Sequence, residues 1–248
     1  MYDITKLEII GEGATTKIYR DGDTAIKLYV NAPSDEADNE AKLQQFAHNA
    51  GLPVPVVYGV RKFENNIVAL DMAYINGKPI LQPKMDKEER RSAINTLVKL
   101  QCEIHKVHAK GLPQQTDHLW QKIKRTQRLE ESLKENLLSL LARIGDNYEY
   151  LCHGDFHPLN VLYDGNKHWI IDWVDAVAGN PLADACRTYL IFKQYLSRSS
   201  GIYLKAFCKE TCSRPDDILV WQPIIAAARL GENMDNQARA WLLAVVQE

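Results

Sequence analysis

The chain has 248 residues, 46% of them hydrophobic, enough to bury the core of one large domain or two small lobes. Thirty basic against 32 acidic side chains leave a formal charge of −2 with no long block of one sign, so neither nucleic acid nor a membrane surface is an expected partner. Apolar stretches fall far short of the about 20 residues that span a bilayer, Met1-Tyr2-Asp3-Ile4 opens without a basic region leading into an apolar one, and five cysteines in a chain too long to need disulfide staples fit a reducing, cytoplasmic setting.

Apolar, β-branched segments predict strands at residues 7–11, 18–20, 24–29, 56–63 and 67–72, with Asp21-Gly22-Asp23 and Glu64-Asn65-Asn66 as hairpin turns. One helix interrupts them, with Ser34 as its N-cap and an amphipathic run ending at Gly51. Past Asn76-Gly77-Lys78-Pro79 apolar residues recur at three- and four-residue spacing, which predicts helices over 87–106, 119–144, 181–195, 216–229 and 235–246. A break at 151–172, a loop rich in His, Asp, Pro and Asn, leads to two short strands around Asp164-Gly165-Asn166. The expected class is α+β: residues 1–76 form a small antiparallel β-sheet lobe with one helix, and residues 77–248 a larger, mainly helical lobe. With no internal repeat, low-complexity tract or long linker, the boundary reads as a hinge within one catalytic unit.

The most specific signal is His153-Gly154-Asp155-Phe156-His157-Pro158-Leu159-Asn160, followed by Ile170-Ile171-Asp172-Trp173. Phosphoryl transfer needs a carboxylate to orient and deprotonate the attacking hydroxyl, and hard oxygen ligands to hold magnesium against nucleotide phosphates. Asp155 can be the first; Asn160 and Asp172 can be the second. Taken singly, each of these residues, like His157, is more often a loop cap or turn residue. Their joint spacing reverses that reading, because protein kinases also place a catalytic Asp and a metal-binding Asn five apart, with a second metal-binding Asp on a strand-following turn.

This segment resembles the aminoglycoside phosphotransferase and choline kinase family, as does its continuation Asp175-Ala176-Val177-Ala178-Gly179-Asn180-Pro181-Leu182-Ala183-Asp184. The resemblance is strong over 151–190 and diffuse over the rest of the chain. It implies a two-lobed, protein-kinase-like fold and an ATP- and Mg2+-dependent kinase of a small-molecule hydroxyl. Upstream, Gly11 and Gly13 lie where a glycine-rich loop would cover phosphates, although Thr16 takes the third glycine position. Lys27, in Ala25-Ile26-Lys27-Leu28, matches the strand lysine that contacts nucleotide phosphates, a position that otherwise reads as solvent-exposed. By the resemblance Glu40 pairs with Lys27, with Glu36 as a rival one helical turn earlier. Met72, Ala73 and Ile75 match the hinge whose backbone meets an adenine edge. His153 resembles a structural brace of the loop, and Asp184 a helix aspartate that supports it from beneath.

Other residues carry blander expectations. His105 on an apolar helical face reads as a buried, satisfied histidine, Trp173, Trp221 and Trp241 as core, and the Cys208/Cys212 pair as ordinary packing. Only eleven residues separate Asp172 from Asp184, with no Ala-Pro-Glu ending, so a protein substrate is disfavoured. Aminoglycosides, amino alcohols, sugars and vitamins stay open as acceptors. Asp175, Glu232 and Asp235 read equally as a rim for a cationic substrate or as helix-dipole complements. An inactive nucleotide-binding scaffold is the alternative, disfavoured because Lys27, Asp155, Asn160 and Asp172 are all present.

Overall fold

The computed structural model describes residues 7–13, 16–30, 35–63, 67–145 and 148–247. In chain order the elements are β1 (Glu8–Glu12), β2 (Thr16–Asp21), β3 (Thr24–Val30), α1 (Glu36–Asn49), β4 (Val57–Lys62), β5 (Ile67–Ala73), β6 (Lys78–Pro79), α2 (Lys87–Ile104), α3 (Gln115–Arg125) and α4 (Glu131–Ile144). There follow β7 (Tyr150–Cys152), a 3-10 turn at Pro158–Asn160, β8 (Val161–Tyr163), β9 (His168–Ile170), β10 (Val177–Gly179), α5 (Pro181–Tyr195), α6 (Ser197–Thr211), α7 (Pro215–Leu219), α8 (Gln222–Arg229) and α9 (Asn236–Gln247). They divide into two compact units, Met1–Ile80 with Pro158–Asp175, and Leu81–His157 with Ala176–Glu248.

The first unit is built on a five-stranded antiparallel sheet in the order β1-β2-β3-β5-β4. Side chains alternate across a strand, so β3 serves two faces. Ala25 and Tyr29 pack with Leu70, Met72 and Ala37 of α1, while Ile26 and Leu28 pack with Ala69 on the opposite face. Lys27 falls in step with Ala25 and Tyr29 and so points to the α1 side. Helix α1 buries Ala37, Glu40, Leu43, Gln44 and Ala47, a stripe of three- and four-residue spacing. Its N-cap is Asp35, without a side-chain cap bond; the expected cap Ser34 and the turn Glu64-Asn65-Asn66 lie outside the described residues.

A second, three-stranded sheet, β6-β8-β9, explains why Pro158–Asp175 groups with the first unit. The Ile80 amide donates to the Val161 carbonyl at 2.8 Å, and the Ile170 amide to the Pro53 carbonyl at 2.8 Å. The β8–β9 turn is tight: Gly165 has φ +98°, and the Asp164 carboxylate accepts from the amides of Asn166 and Lys167 at 2.8 and 2.9 Å.

The second unit is helical, with β7 and β10 as a short antiparallel pair. Helix α2 begins at a capping box in which Asp86 and Glu89 satisfy each other's backbone amides. Periodicity overran two boundaries. The helix expected over 119–144 is two, α3 and α4, because Thr126 turns extended (ψ 128°) and the link beyond it buries Leu129. The one expected over 216–229 is also two, α7 and α8; Pro223 has no amide to donate and is tolerated only in the first turn of a helix, so α8 has to start just before it. Helix α6 was not expected, since Ser197, Ser199, Ser200 and Gly201 are weak helix formers; burial of Tyr203 and Phe207 carries it. Tyr203 stacks on Phe192 with ring centroids 5.2 Å apart. Among the described residues, no helix is long and apolar enough to cross a membrane.

Candidate active site

In the first unit, strand alternation and the helical stripe bring opposite charges together inside the core. Lys27 Nζ donates to both carboxylate oxygens of Glu40 at 2.8 Å each and to Asp172 Oδ1 at 2.9 Å, matching its three N–H donors. The partner is thus Glu40; the rival Glu36 opens the helix one turn earlier. Tyr29 Oη donates to Glu40 Oε2, a contact that the sequence reading missed although Tyr29 lies two residues from Lys27 on the same strand face. Burial disfavours both charges, pulling the Lys27 ammonium down and pushing the Glu40 carboxyl up. For Lys27 the two carboxylates outweigh burial, so its ammonium sits above the usual lysine range.

Asp172 is delivered by the β8–β9 hairpin. Val161 faces Ile170, and the Ile171 amide donates to the Asn160 carbonyl at 3.0 Å, so Asn160 and Asp172 flank the same end of the ladder. Asp172 takes φ +65°, a left-handed conformation that costs a non-glycine residue energy and recurs at functional sites. Asn160 is buried, and Trp173 behind it anchors its indole N–H on the Ile170 carbonyl at 3.1 Å.

The remaining first-unit residues fall where strands turn. Gly11 ends a β-bulge in β1, and the Gly13 amide donates to the Thr16 carbonyl at 2.8 Å, closing the β1–β2 loop. A Cβ on Gly13 would come within 2.8 Å of Thr16 Oγ1, so the residue in the third glycine position itself limits what Gly13 can become. Met72 is buried on β5 and Ala73 ends that strand. The Ala73 amide already donates to the Val56 carbonyl at 2.8 Å, and the Ile75 carbonyl accepts from the Gly77 amide at 2.9 Å.

In the second unit, one face of α5 holds three consecutive loop residues. Asp184 Oδ1 accepts from the Gly154 amide at 2.9 Å, Arg187 Nη2 donates to Asp155 Oδ1 at 2.8 Å, and Thr188 Oγ1 donates to the Phe156 carbonyl at 2.8 Å. Positions i, i+3 and i+4 share a helical face, which is why one helix can grip three neighbours. Gly154, at φ +80°, supplies the turn that presents its amide. Asp184 also takes His105 Nε2 at 2.9 Å and Gln101 Nε2 at 3.2 Å on Oδ2, so its role is the expected brace and His105 is the expected buried, partnered histidine. His153 braces from within the loop, its Nδ1 accepting the Asp155 amide at 3.3 Å. The ligand atoms of His105, Cys152 and Asp184 lie within 4.8 Å of one another, but the Asp184 oxygens are occupied by these donors.

Arg187 was not foreseen, and it changes the chemistry of Asp155. Burial would raise the Asp155 carboxyl, but the Arg187 guanidinium and the His157 ring, 3.3 Å from Oδ2, hold it far below the usual carboxylate range. Arg187 Nη1 in turn donates to Glu232 Oε1 at 2.6 Å, and Arg229 Nε to Glu232 Oε2 at 3.0 Å. Glu232, expected as a possible rim for a cationic substrate, therefore faces two arginines of its own unit. Asp235 caps α9 through the Ala238 amide at 2.7 Å, the helix-terminus alternative. Trp173 and Trp221 are core as expected, whereas Trp241 is only partly buried.

Three solved structures, all similar at low sequence identity, share this fold. A variant of aminoglycoside phosphotransferase APH(4)-Ia in ternary complex with ADP and hygromycin B superposes with a TM-score of 0.73 at 16% identity, over 98% of this chain and 92% of that one. The GDP complex of aminoglycoside 2'-phosphotransferase-IIIa gives 0.66 at 15% identity over 99% and 92%, and choline kinase LicA from Streptococcus pneumoniae gives 0.70 at 14% over 98% and 93%. No curated protein sequence matches the chain at a significant level. The profile of the phosphotransferase enzyme family matches residues 6–218. The chain shares its α+β fold with these structures and belongs to the phosphotransferase enzyme family.

Proposed function

We propose that the chain moves the γ-phosphoryl group of ATP to a hydroxyl of a small molecule, with aminoglycosides, amino alcohols, sugars and vitamins as the classes to test. The observation that carries this reading is Lys27, a buried ammonium shared between Glu40 and Asp172, which packing alone gives no reason to place there. All three Lys27 donors are engaged, so a phosphate oxygen has to displace a carboxylate. The Glu40 side chain is 1% exposed and stays, whereas Asp172, 39% exposed, is free to leave. The loop at Gly11 and Gly13 lies over the phosphates, and the segment Met72, Ala73 and Ile75 borders the adenine.

Asp172 and Asn160 offer the hard oxygen donors that magnesium selects, on one end of a short hairpin, and the donor set fits that ion. Magnesium, when bound, neutralises charge on the phosphates. Asp155 receives the acceptor hydroxyl. Its carboxylate, held by Arg187, is a weak base that orients more than it deprotonates, which suits the loose transition state of phosphoryl transfer. ADP, GDP and hygromycin B in the complexes of similar proteins, and the choline kinase name, support a nucleotide and a hydroxyl-bearing small molecule. Five free cysteines suit a cytoplasmic setting. The test is an ATP-consumption screen across the four acceptor classes, with nucleotide affinity measured in parallel on wild type and Lys27→Ala. Turnover with at least one class and weakened ATP binding in the variant are expected; unchanged affinity and turnover in Lys27→Ala would overturn the assignment.

A further inference from the structure

We propose that Glu232 is a positioning residue for phosphoryl transfer, acting through Arg187 on Asp155. The inference rests on the functional reading above and adds a residue outside the loop and hairpin that define it. Arg187 spends one terminal nitrogen on each of two carboxylates, Nη2 on Asp155 at 2.8 Å and Nη1 on Glu232 at 2.6 Å. Glu232 is itself fixed. Its second oxygen accepts Arg229 Nε at 3.0 Å, its amide donates to the Arg229 carbonyl at 3.0 Å, and Arg229 Nη2 is tied to Gln194 Oε1 at 3.0 Å. Gln194 lies seven residues beyond Arg187 on α5, so the turn after α8 is fastened to the same helical face that presents Arg187 to the loop. Two guanidiniums and two carboxylates alternate along this chain of contacts and balance in charge.

The consequence concerns the charge on Asp155. A guanidinium prefers to grip a carboxylate with two parallel N–H donors. Here Nη1 lies on Glu232 while Nη2 donates to Asp155 Oδ1, and Asp155 Oδ2 faces His157. Without the Glu232 charge to compete for it, Arg187 shifts its pull towards Asp155 and draws the carboxylate's charge away from an acceptor hydroxyl. Glu232 does not touch the reacting atoms; it sets how much of Arg187 reaches the residue that does.

The test is a double-mutant cycle on kcat, using Glu232→Gln and Asp155→Asn singly and together. ATP hydrolysis, with water as acceptor, provides a readout that needs no identified substrate, and any acceptor found by the screen provides a second. Glu232→Gln is expected to lower kcat about tenfold with the KM for ATP within about twofold of wild type, and to lower it less than about twofold on the Asp155→Asn background. Glu232→Asp, which keeps the charge on a shorter arm, should recover part of the loss and serves in place of Gln should that variant fail to fold. A merely structural role would lower the melting temperature and change kcat equally on both backgrounds. Equal loss on both backgrounds, or kcat unchanged in Glu232→Gln, overturns the inference while leaving the functional reading intact. A wild-type chain that neither binds nor hydrolyses ATP overturns both.

Discussion

Replacing Lys27 by Met keeps the length of the side chain and deletes its charge, which separates what the lysine does for stability from what it does for nucleotide. Glu40, 1% exposed, would lose its counter-charge and keep only the Tyr29 hydroxyl. Removing one partner of a buried ion pair costs about 3–5 kcal/mol, because the remaining charge is stranded in a medium that solvates it poorly. At about 2–4 °C per kcal/mol for a chain of this length, the melting temperature should fall by about 10 °C. Asp172 adds little to that loss, since its exposed side chain is rehydrated by water. The double variant Lys27→Met with Glu40→Leu, made together with Tyr29→Phe so that no buried hydroxyl loses its acceptor, replaces the pair by apolar groups of similar volume, and such replacements are neutral to stabilising by about 1–4 kcal/mol. Thermal melts should therefore show the single variant low and the double variant restored, while calorimetric titration with ATP shows both impaired. A single variant that melts like wild type would refute the buried-pair argument, and a double variant with wild-type ATP affinity would refute the phosphate role of Lys27.

Three further outcomes follow from the site. Asp155→Asn should cut kcat by about 10² to 10⁴-fold with its magnesium dependence unchanged, whereas Asp172→Ala should raise the magnesium concentration needed for turnover; the reverse pattern, in turnover measured against both magnesium and ATP, would undo these roles. The Asp155 carboxyl is depressed when folded, so the stability that it contributes is present above its unfolded pKa of about 3.9 and is lost only as pH falls through the lower folded value; the kcat profile of wild type should thus carry no Asp155 limb above about pH 4. In Arg187→Gln, burial is no longer opposed by the guanidinium, and the acid limb should move up in pH in the same profile, with His157 and His153 the remaining groups that favour the charged form. Asp184→Ala strips the acceptor from the Gly154 amide and from Gln101, both buried or nearly so, and should cost about 3 kcal/mol in urea unfolding, with Asp184→Asn losing less.

What the sequence disclosed, and what it withheld, divides by how far apart the cooperating residues lie in the chain. Strand alternation disclosed the five strands of the first unit, though not their order in the sheet, and helical spacing disclosed most of the helices of the second. Errors cluster where local pattern and tertiary burial disagree. Periodicity ran through Thr126 because its neighbours remain amphipathic, and it ran through Pro223 because a proline in a first helical turn leaves the apolar spacing intact. Helix α6 went unseen because its first turn is serine- and glycine-rich, and only the stacking of Tyr203 on Phe192 rewards folding it.

The candidate site shows the same division. Asp155, Asn160 and Asp172 lie within one segment, so their spacing is a single readable motif; Glu40 was recoverable because only one helix follows Lys27 among the strands. Arg187 and Thr188 were equally close to that motif, at three and four residues past Asp184, yet their meaning depends on the loop 154–156 being laid along α5. Helical spacing says that three side chains share a face; it does not say what lies across it. The same holds for Glu232, whose place in the sequence, at a helix end beside other acids, read as a rim for a cation or a dipole complement. Only the approach of Arg187 and Arg229 from two helices decides against the rim, because a carboxylate with a guanidinium on each oxygen has no strong claim left on a third cation.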